Sequence, residues 1–451
     1  MKSNSKVDMT TGPIMKNIFI FAIPIIISNI LQNLYSTVDT LVVGNFCGET
    51  SLAAIGTSAQ PIEVVLCVFL GIGGGVSILI SQYTGAKDTQ AIKSTCKTAV
   101  TFVYLAGLPL TIIGVILTPW ILTRMGVPED TFAIAVAYTR ISFLGTLANV
   151  GYNMNAGILR GMGDSRASLN FLIVSCCSNI ILDLIFVPVL KLDAAGAALA
   201  TISAQYLAWI ASVVYTKKKF SEVGFSFLPK GCSFEALKQI VVFGLPIGLN
   251  NSLFSLGHLF MQSFVNAQGS TFMAANAVAG RISGLSNIAI QALSQAGSAY
   301  SGQNFGAKNI ERLKQGYLKI PFVSGAITLA FGMFFMSIRM PILKLFTREE
   351  MVLFYASRYV VVQLSSQWMF AVYNSITNIV NGTGRLKYTT IVNLMMLWVV
   401  RIPSAYLIMK LWDGTWIMLS VAISFLFGMS AMLGYYIFSK SWKKMLSGEI
   451  I

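Results

Sequence analysis

The sequence predicts an all-α polytopic membrane protein, with twelve transmembrane helices in two six-helix lobes related by a pseudo-twofold axis. Three observations predict it. Of 451 residues, 55% are hydrophobic and only 11% are charged, against about 25% charged in soluble domains. Apolar runs follow one another along the chain, each long enough to cross about 30 Å of hydrocarbon. The third observation is an internal repeat. Phe21-Ala22-Ile23-Pro24 returns as Phe243-Gly244-Leu245-Pro246, 222 positions later. Gln82-Tyr83-Thr84-Gly85-Ala86-Lys87-Asp88 returns as Gln303-Asn304-Phe305-Gly306-Ala307-Lys308-Asn309, 221 on, and Ile158-Leu159-Arg160-Gly161-Met162-Gly163 as Ile379-Val380-Asn381-Gly382-Thr383-Gly384, again 221 on.

The spans fall at about 16–44, 52–82, 93–118, 131–157, 168–188, 195–215, 237–265, 273–301, 315–337, 350–378, 390–409 and 415–438. Each must be helical, because backbone groups in lipid have to be satisfied within their own segment. The polar residues 1–13 precede the first span, which is too long for a signal peptide. The second span holds Gly71-Ile72-Gly73-Gly74-Gly75. No strand precedes this run, so it reads as close helix packing rather than a nucleotide loop. The fifth contains Cys176-Cys177, a small apolar packing pair. Between the sixth and seventh lies the longest inner connection, with Lys217-Lys218-Lys219 and Pro229-Lys230-Gly231. The lobes are therefore 1–215 and 237–451, joined by a cytoplasmic linker at 216–236.

Charge orients the spans. With both termini cytoplasmic, the inner segments hold 22 Lys/Arg and the outer ends seven, which is the positive-inside pattern. It accounts for the +15 net charge without nucleic acid, since the basic residues are scattered over membrane loops. Six helices per lobe make the repeats parallel, with their axis along the membrane normal. Of six cysteines only Cys47 falls near the outer surface, so no disulfide framework is expected. The chain lacks a phosphate-binding loop, a His-rich metal site and a triad of catalytic residues. No cofactor is expected.

Ionisable residues inside spans are functional candidates by default. Asp39, Asp183 and Thr201 each lie about five or six residues from an outer span end, roughly 8–9 Å deep at about 1.5 Å per residue. Asn179 and Tyr35 each sit one turn from an acid. This layer can hold a hard cation such as Na⁺ through carboxylate, amide and hydroxyl oxygens. Equally, two neighbouring carboxylates cannot both ionise cheaply there, so one can carry H⁺. The second lobe has Met261 opposite Asp39, and no carboxylate after Glu235 in its seventh helix or after Glu350 in its tenth. Glu63 and Arg281 occupy equivalent spans at similar depth and form a candidate outer gate. Arg140 and Arg401 read as structural, and His258 as a satisfied interior histidine. Asn153, Asn155, Gln262, Gln367 and Asn374 interrupt apolar spans and are candidates to line a substrate cavity.

Over its full length the chain resembles the multidrug and toxic compound extrusion (MATE) transporters of bacteria. The resemblance rests on Pro24, Asp39, the two Gln82 and Gln303 motifs, Leu159-Arg160-Gly161-Met162-Gly163-Asp164, and Asn179, Asp183 and Thr201. It implies a secondary antiporter of the cytoplasmic membrane, monomeric and not an enzyme. Such a protein exports amphiphilic, often cationic drugs in exchange for H⁺ or Na⁺ by alternating access. The matching ion-site positions are Asp39, Asn179, Asp183 and Thr201 with Tyr35 nearby. Pro24 matches a proline associated with bending of the first helix. The alternatives are a flippase for a lipid-linked precursor, which calls for a more cationic cavity, and a non-transporting sensor or enzyme. The topology is testable by single-cysteine labelling. Lys217→Cys should react from the cytoplasmic side and Ser270→Cys from the outside, and reversed labelling at either would overturn the orientation.

Overall fold

The computed structural model describes residues 6–446. The side chains of 49, 52–53, 57–61, 63–65, 441, 445 and 446 are outside that description. The described residues form helices joined by short connections, with no strand. In order they are α1 (Ile14–Phe46), α2 (Gly48–Ala86), α3 (Thr89–Arg124), α4 (Glu129–Leu144), α5 (Thr146–Gly161), α6 (Ser165–Phe186) and α7 (Asp193–Lys219). Then follow α8 (Phe234–Asn266), α9 (Ser270–Gly306), α10 (Ile310–Ser337), α11 (Arg339–Phe346), α12 (Glu350–Gly382), α13 (Leu386–Leu394), α14 (Ile402–Leu411), α15 (Leu419–Phe438) and α16 (Lys440–Leu446). A π-helical segment, Met395–Arg401, joins α13 to α14.

The twelve predicted spans are present as α1, α2, α3, α4 with α5, α6, α7, α8, α9, α10, α12, α13 through α14, and α15. Among the described residues nine helices are long and apolar enough to cross a membrane, or ten with the α4–α5 pair. That pair is bent by 40°. The bend lies at Gly145, where a Cβ would stand 2.3 Å from Ile202 Cγ2. α9 and α12, the more polar long helices, run for 37 and 33 residues.

The repeated motifs are turns. Lys87 and Lys308 both adopt left-handed backbone, at φ 56° and 55°. The next residue in each case caps the following helix: Asp88 Oδ1 accepts from Ala91 N at 2.9 Å, and Asn309 Oδ1 from Arg312 N at 3.3 Å. Gly163 and Gly384 match likewise at φ 90° and 85°. The repeat thus encodes the same chain reversals twice, by αL stop and Asx cap. Asp164, fully buried, caps α6 through Ala167 N at 3.2 Å and pairs with Lys219 Nζ at 2.6 Å.

The chain divides into two compact units whose borders differ from those of the repeat. Unit 1 contains residues 6–7 and Ile23–Leu249, and unit 2 contains Asp8–Ala22 and residues 250–446. α1 and α8 therefore each contribute to both units. The change falls beside Pro24 in α1 and three residues after Pro246 in α8. α1 nevertheless runs on as one helix through Pro24, with Ser28 Oγ donating to the Pro24 carbonyl at 2.8 Å.

Unit 1 packs around Ile72, Val76, Ile80, Val103, Ile158 and Trp209. The connection after α7 joins this core. It starts later than predicted, because α7 continues to Lys219. Phe227 packs against Trp209 in a tilted contact with centroids 4.6 Å apart, and Thr101 Oγ1 donates to Gly231 O at 2.8 Å. In unit 2 the counterpart is the segment before α1. Met9 is fully buried; its N–H donates to Gln303 Oε1 at 3.0 Å. Its carbonyl accepts from Asn304 Nδ2 and Arg312 Nε, both at 3.0 Å. Gln303 and Asn304 belong to the repeated motif, so the motif clamps a strap as well as turning the chain.

The glycine run makes a close helix crossing inside unit 1. A Cβ on Gly71 would lie 2.1 Å from Gly248 N, and one on Gly75 would lie 2.5 Å from the Gly244 backbone. Two glycines four apart on α2 meet two glycines four apart on α8, backbone against backbone. Gly74 points elsewhere, with only Ile247 Cγ2 nearby at 3.9 Å. Gly71→Ala should therefore cost about 1–3 kcal/mol. Gly74→Ala should stay within about 0.5 kcal/mol. Thermal unfolding of the two purified variants decides, and equal melting temperatures would contradict the crossing.

Candidate functional site

α6 owes its placement to one buried stripe. Ser168, Leu172, Cys176, Asn179 and Asp183 recur at intervals of three or four and all are buried, the spacing of a single helix face. The opposite face carries exposed Ile173, Val174, Ile181 and Leu184. The polar end of the stripe is held against α7, whose Ala194, Ala197, Ala200 and Ala204 are buried and small enough for close approach. There Asn179 Nδ2 donates to Thr201 Oγ1 at 3.3 Å. Cys176 Sγ, one turn before Asn179, reaches the Leu31 carbonyl of α1 at 3.9 Å.

α1 brings Tyr35 and Asp39 to this place. Asp183 interacts electrostatically with Asp39, and Tyr35 with both. The structure thus gathers all five predicted ion-site residues in unit 1. Their oxygens are short of donors. Asp183 is fully buried and neither carboxylate oxygen has a hydrogen-bond partner; Asp39 Oδ1 and Asn179 Oδ1 are also buried without one. Buried acceptors are normally paired. Four unpaired acceptor atoms in one cluster can take a proton, or lend oxygen ligands to a hard cation. Among the described residues no group of three or more His, Cys, Asp or Glu side chains has metal-binding spacing. A cation would therefore depend on the neutral Asn and Thr oxygens as well as the two acids.

Tyr138 of α4 is a sixth member, interacting with Asp39, Tyr35 and Asp183. Nothing local marks it in the sequence. It arrives on α4, distant in sequence from α1 and α6, and only the fold brings it there.

The other predicted residues are dispersed. Asn155 is 1% exposed and belongs to the packing of unit 1, donating to Ser212 Oγ at 2.8 Å and Thr216 Oγ1 at 3.2 Å. Asn153 bonds one turn back to Asn149 O at 2.9 Å. Its repeat equivalent, Asn374, accepts from Asn378 Nδ2 at 2.7 Å. Gln262 is exposed and donates to Asn266 Oδ1 at 2.8 Å. Gln367 is 1% exposed, donates to Asn287 Oδ1 at 3.2 Å and keeps Oε1 unpaired. Arg281 is exposed on α9, and Glu63 lies outside the described residues. Arg140 donates to the Val115 carbonyl at 3.3 Å, a structural bond. His258 is not interior but exposed, its ring edge-on to Phe254 at 4.8 Å.

A family model described as MatE matches residues 24–185 and again 246–407. The chain belongs to the MatE family. Each match starts at one of the repeated prolines, so MatE covers both copies of the duplication. The chain is 29% identical to "Probable multidrug resistance protein YoeA" of Bacillus subtilis, over 96% of this chain and 95% of that protein. It is 23% identical to "Probable multidrug resistance protein NorM" of Thermotoga maritima, over 96% of this chain and 94% of that one. Its fold matches a crystal structure of a MATE protein in complex with MaD3S at a TM-score of 0.89, with 24% identity over 98% of this chain and 100% of that chain. This MatE chain is thus an all-α, multi-pass membrane protein.

The placement of Asn155 gives a test that separates packing from ion chemistry. Asn155→Ala strands the Ser212 and Thr216 hydroxyls and should cost about 1–3 kcal/mol of stability. It leaves the Asp39–Asp183 cluster untouched. Melting temperature should fall while any ion dependence of the folded fraction stays as in the wild type.

Proposed function

We propose that this MatE protein is a secondary antiporter of the cell membrane, exporting amphiphilic and cationic compounds in exchange for H⁺ or Na⁺. The observation that carries the reading is the cluster of unpaired buried acceptor oxygens on Asp39, Asn179 and Asp183, beside Thr201. Family membership and relatives named as multidrug resistance proteins support export of drugs. Occupation of the cluster by the ion relieves the acceptor shortage and favours one state of the carrier; loss of the ion favours the other. Pro24 is the point in α1 where a backbone hydrogen bond is missing, which makes it the natural place for that helix to bend. Glu63 and Arg281 remain the proposed outer gate. Gln262, Gln367, Asn374 and Asn153 are the proposed cavity residues. Both termini face the cytoplasm, and the working form is a monomer.

Asp39→Asn and Asp183→Asn keep the side-chain shape and remove the titratable charge. In proteoliposomes under a fixed ion gradient, each should slow export at least about tenfold, or ~1.4 kcal/mol in barrier. Thr201→Ala should be mild if the ion is H⁺ and severe if Na⁺ needs that oxygen. Wild-type rates in both Asp→Asn variants would leave the acids structural and sink the proposal.

A further inference from the structure

Among its described residues, unit 2 buries a cation without burying an anion. Arg401 closes the π-helical segment and is only 4% exposed. Its Nε donates to Ser424 Oγ at 2.9 Å, and its guanidinium carbon lies 5.2 Å from the centre of the Phe425 ring. These contacts use one N–H and one face. Nη2 is buried and has no acceptor. Among the described residues no carboxylate is within ion-pair distance of Arg401. Among the described residues the acids of this unit, Asp8, Glu311, Glu349, Glu350 and Asp413, all lie at helix ends or in connections.

The same π-helical segment strands a second donor. Trp398 Nε1 is buried with no acceptor, its ring edge-on to Phe260 of α8 at 5.5 Å. Arg and Trp side chains donate and cannot accept. No rotamer or tautomer converts either one, so what is missing is an acceptor, and for the guanidinium a charged one. A purely structural role accounts for Nε and the Phe425 contact. It leaves Nη2 and Trp398 Nε1 unexplained. π-Helical turns are rare and recur at functional sites. α8 passes close to this one, since a Cβ on Gly257 would stand 2.3 Å from Leu397 Cδ2. The next residue, exposed His258, interacts electrostatically with Arg401, as do Tyr359 and Tyr373. Tyr373 in turn donates to Asn393 Oδ1 at 2.7 Å.

We infer that the two unmatched donors of this segment recognise the carboxylate of an amphiphilic substrate, with Arg401 Nη2 as the anchor, Trp398 Nε1 as a second donor and His258 near Arg401. A carboxylate offers two acceptor oxygens and the negative charge that Arg401 lacks beside it. The substrate's carboxylate and the coupling cation then occupy different units, each meeting the deficit of its own. Only the word substrate rests on the export reading; binding itself does not.

The test is equilibrium binding to the purified full-length protein in nanodiscs, with dansylglycine as the carboxylate probe and dansylamide as its neutral counterpart. Dansylglycine should bind at least about tenfold more tightly, ~1.4 kcal/mol. Arg401→Gln should remove that preference and leave dansylamide binding unchanged. Arg401→Lys should fall between, since an ammonium keeps the charge and loses the planar fork. Trp398→Phe keeps the ring, loses the N–H, and should weaken dansylglycine alone by about threefold or more. Trp398→Phe decides the matter should Arg401→Gln fail to fold. Equal binding of both probes to the wild type would overturn the inference. So would unchanged dansylglycine binding in Trp398→Phe and Arg401→Lys, or full displacement by chloride at concentrations matching the probe's, which marks an inorganic anion site. Asp39→Asn should bind dansylglycine as the wild type does, so loss of export with binding retained bears on the coupling site alone.

Discussion

Water does not reach the hydrocarbon core, so a polar atom buried in a span finds its partner in the protein or in something the protein carries. Much of the chain obeys this rule. Serine and threonine hydroxyls bond back one turn, as Thr118 does to the Gly114 carbonyl at 2.6 Å. Arg140 uses a carbonyl of α3. Among the described residues the rule is broken in places, at Gln367 Oε1 and Trp442 Nε1 for example, but the breaks at charged groups inside the spans are of opposite sign. Unit 1 leaves acceptors unmatched at Asp39, Asn179 and Asp183, while unit 2 leaves donors unmatched at Trp398 and Arg401. Neither deficit is answered from within its own unit, which separates them from the routine polar packing around Asn155.

The duplication explains why two related halves carry such different interiors. The turns are the part held in common: Lys87 with Lys308, Gly163 with Gly384, and the Asx caps that follow the lysines. These residues set where the chain reverses, and both copies need them. Side chains in the middle of the spans are under no such demand. Met261 can stand where the first copy has Asp39 without disturbing a turn.

Much of this was legible in the sequence because it depends on periodicity and spacing. Hydrophobic runs locate the spans, the 221-residue offset exposes the repeat, and depth counting places Asp39, Asp183 and Thr201 in one layer. Tyr138 was not legible, since its membership depends on how α4 packs. The clamp on Met9 was hidden for a different reason. It is made to backbone groups, which carry no residue signature. α11, at eight residues, is too short to show a helical period. The π-helical segment escaped because its local composition is that of an ordinary span. Arg401 consequently read as structural, and only its unmatched Nη2 sets it apart. The borders of the compact units depend on which helices touch, so they too had to be seen.

The glycine crossing of α2 and α8 has a geometric corollary. Where side chains separate two helices, they can tilt and repack, and the helices can creep past one another in small steps. Here nothing lies between the backbones of Gly71 and Gly248, or of Gly75 and Gly244. A slip of one residue would drive Ile72 or Leu245 into the seam. The two helices therefore have one register, with no graded series of neighbours on either side. They are fully seated or fully apart, like a notch and its pin. α8 continues from that notch into unit 2, so the notch lies on one of the two helices whose covalent continuity joins the units.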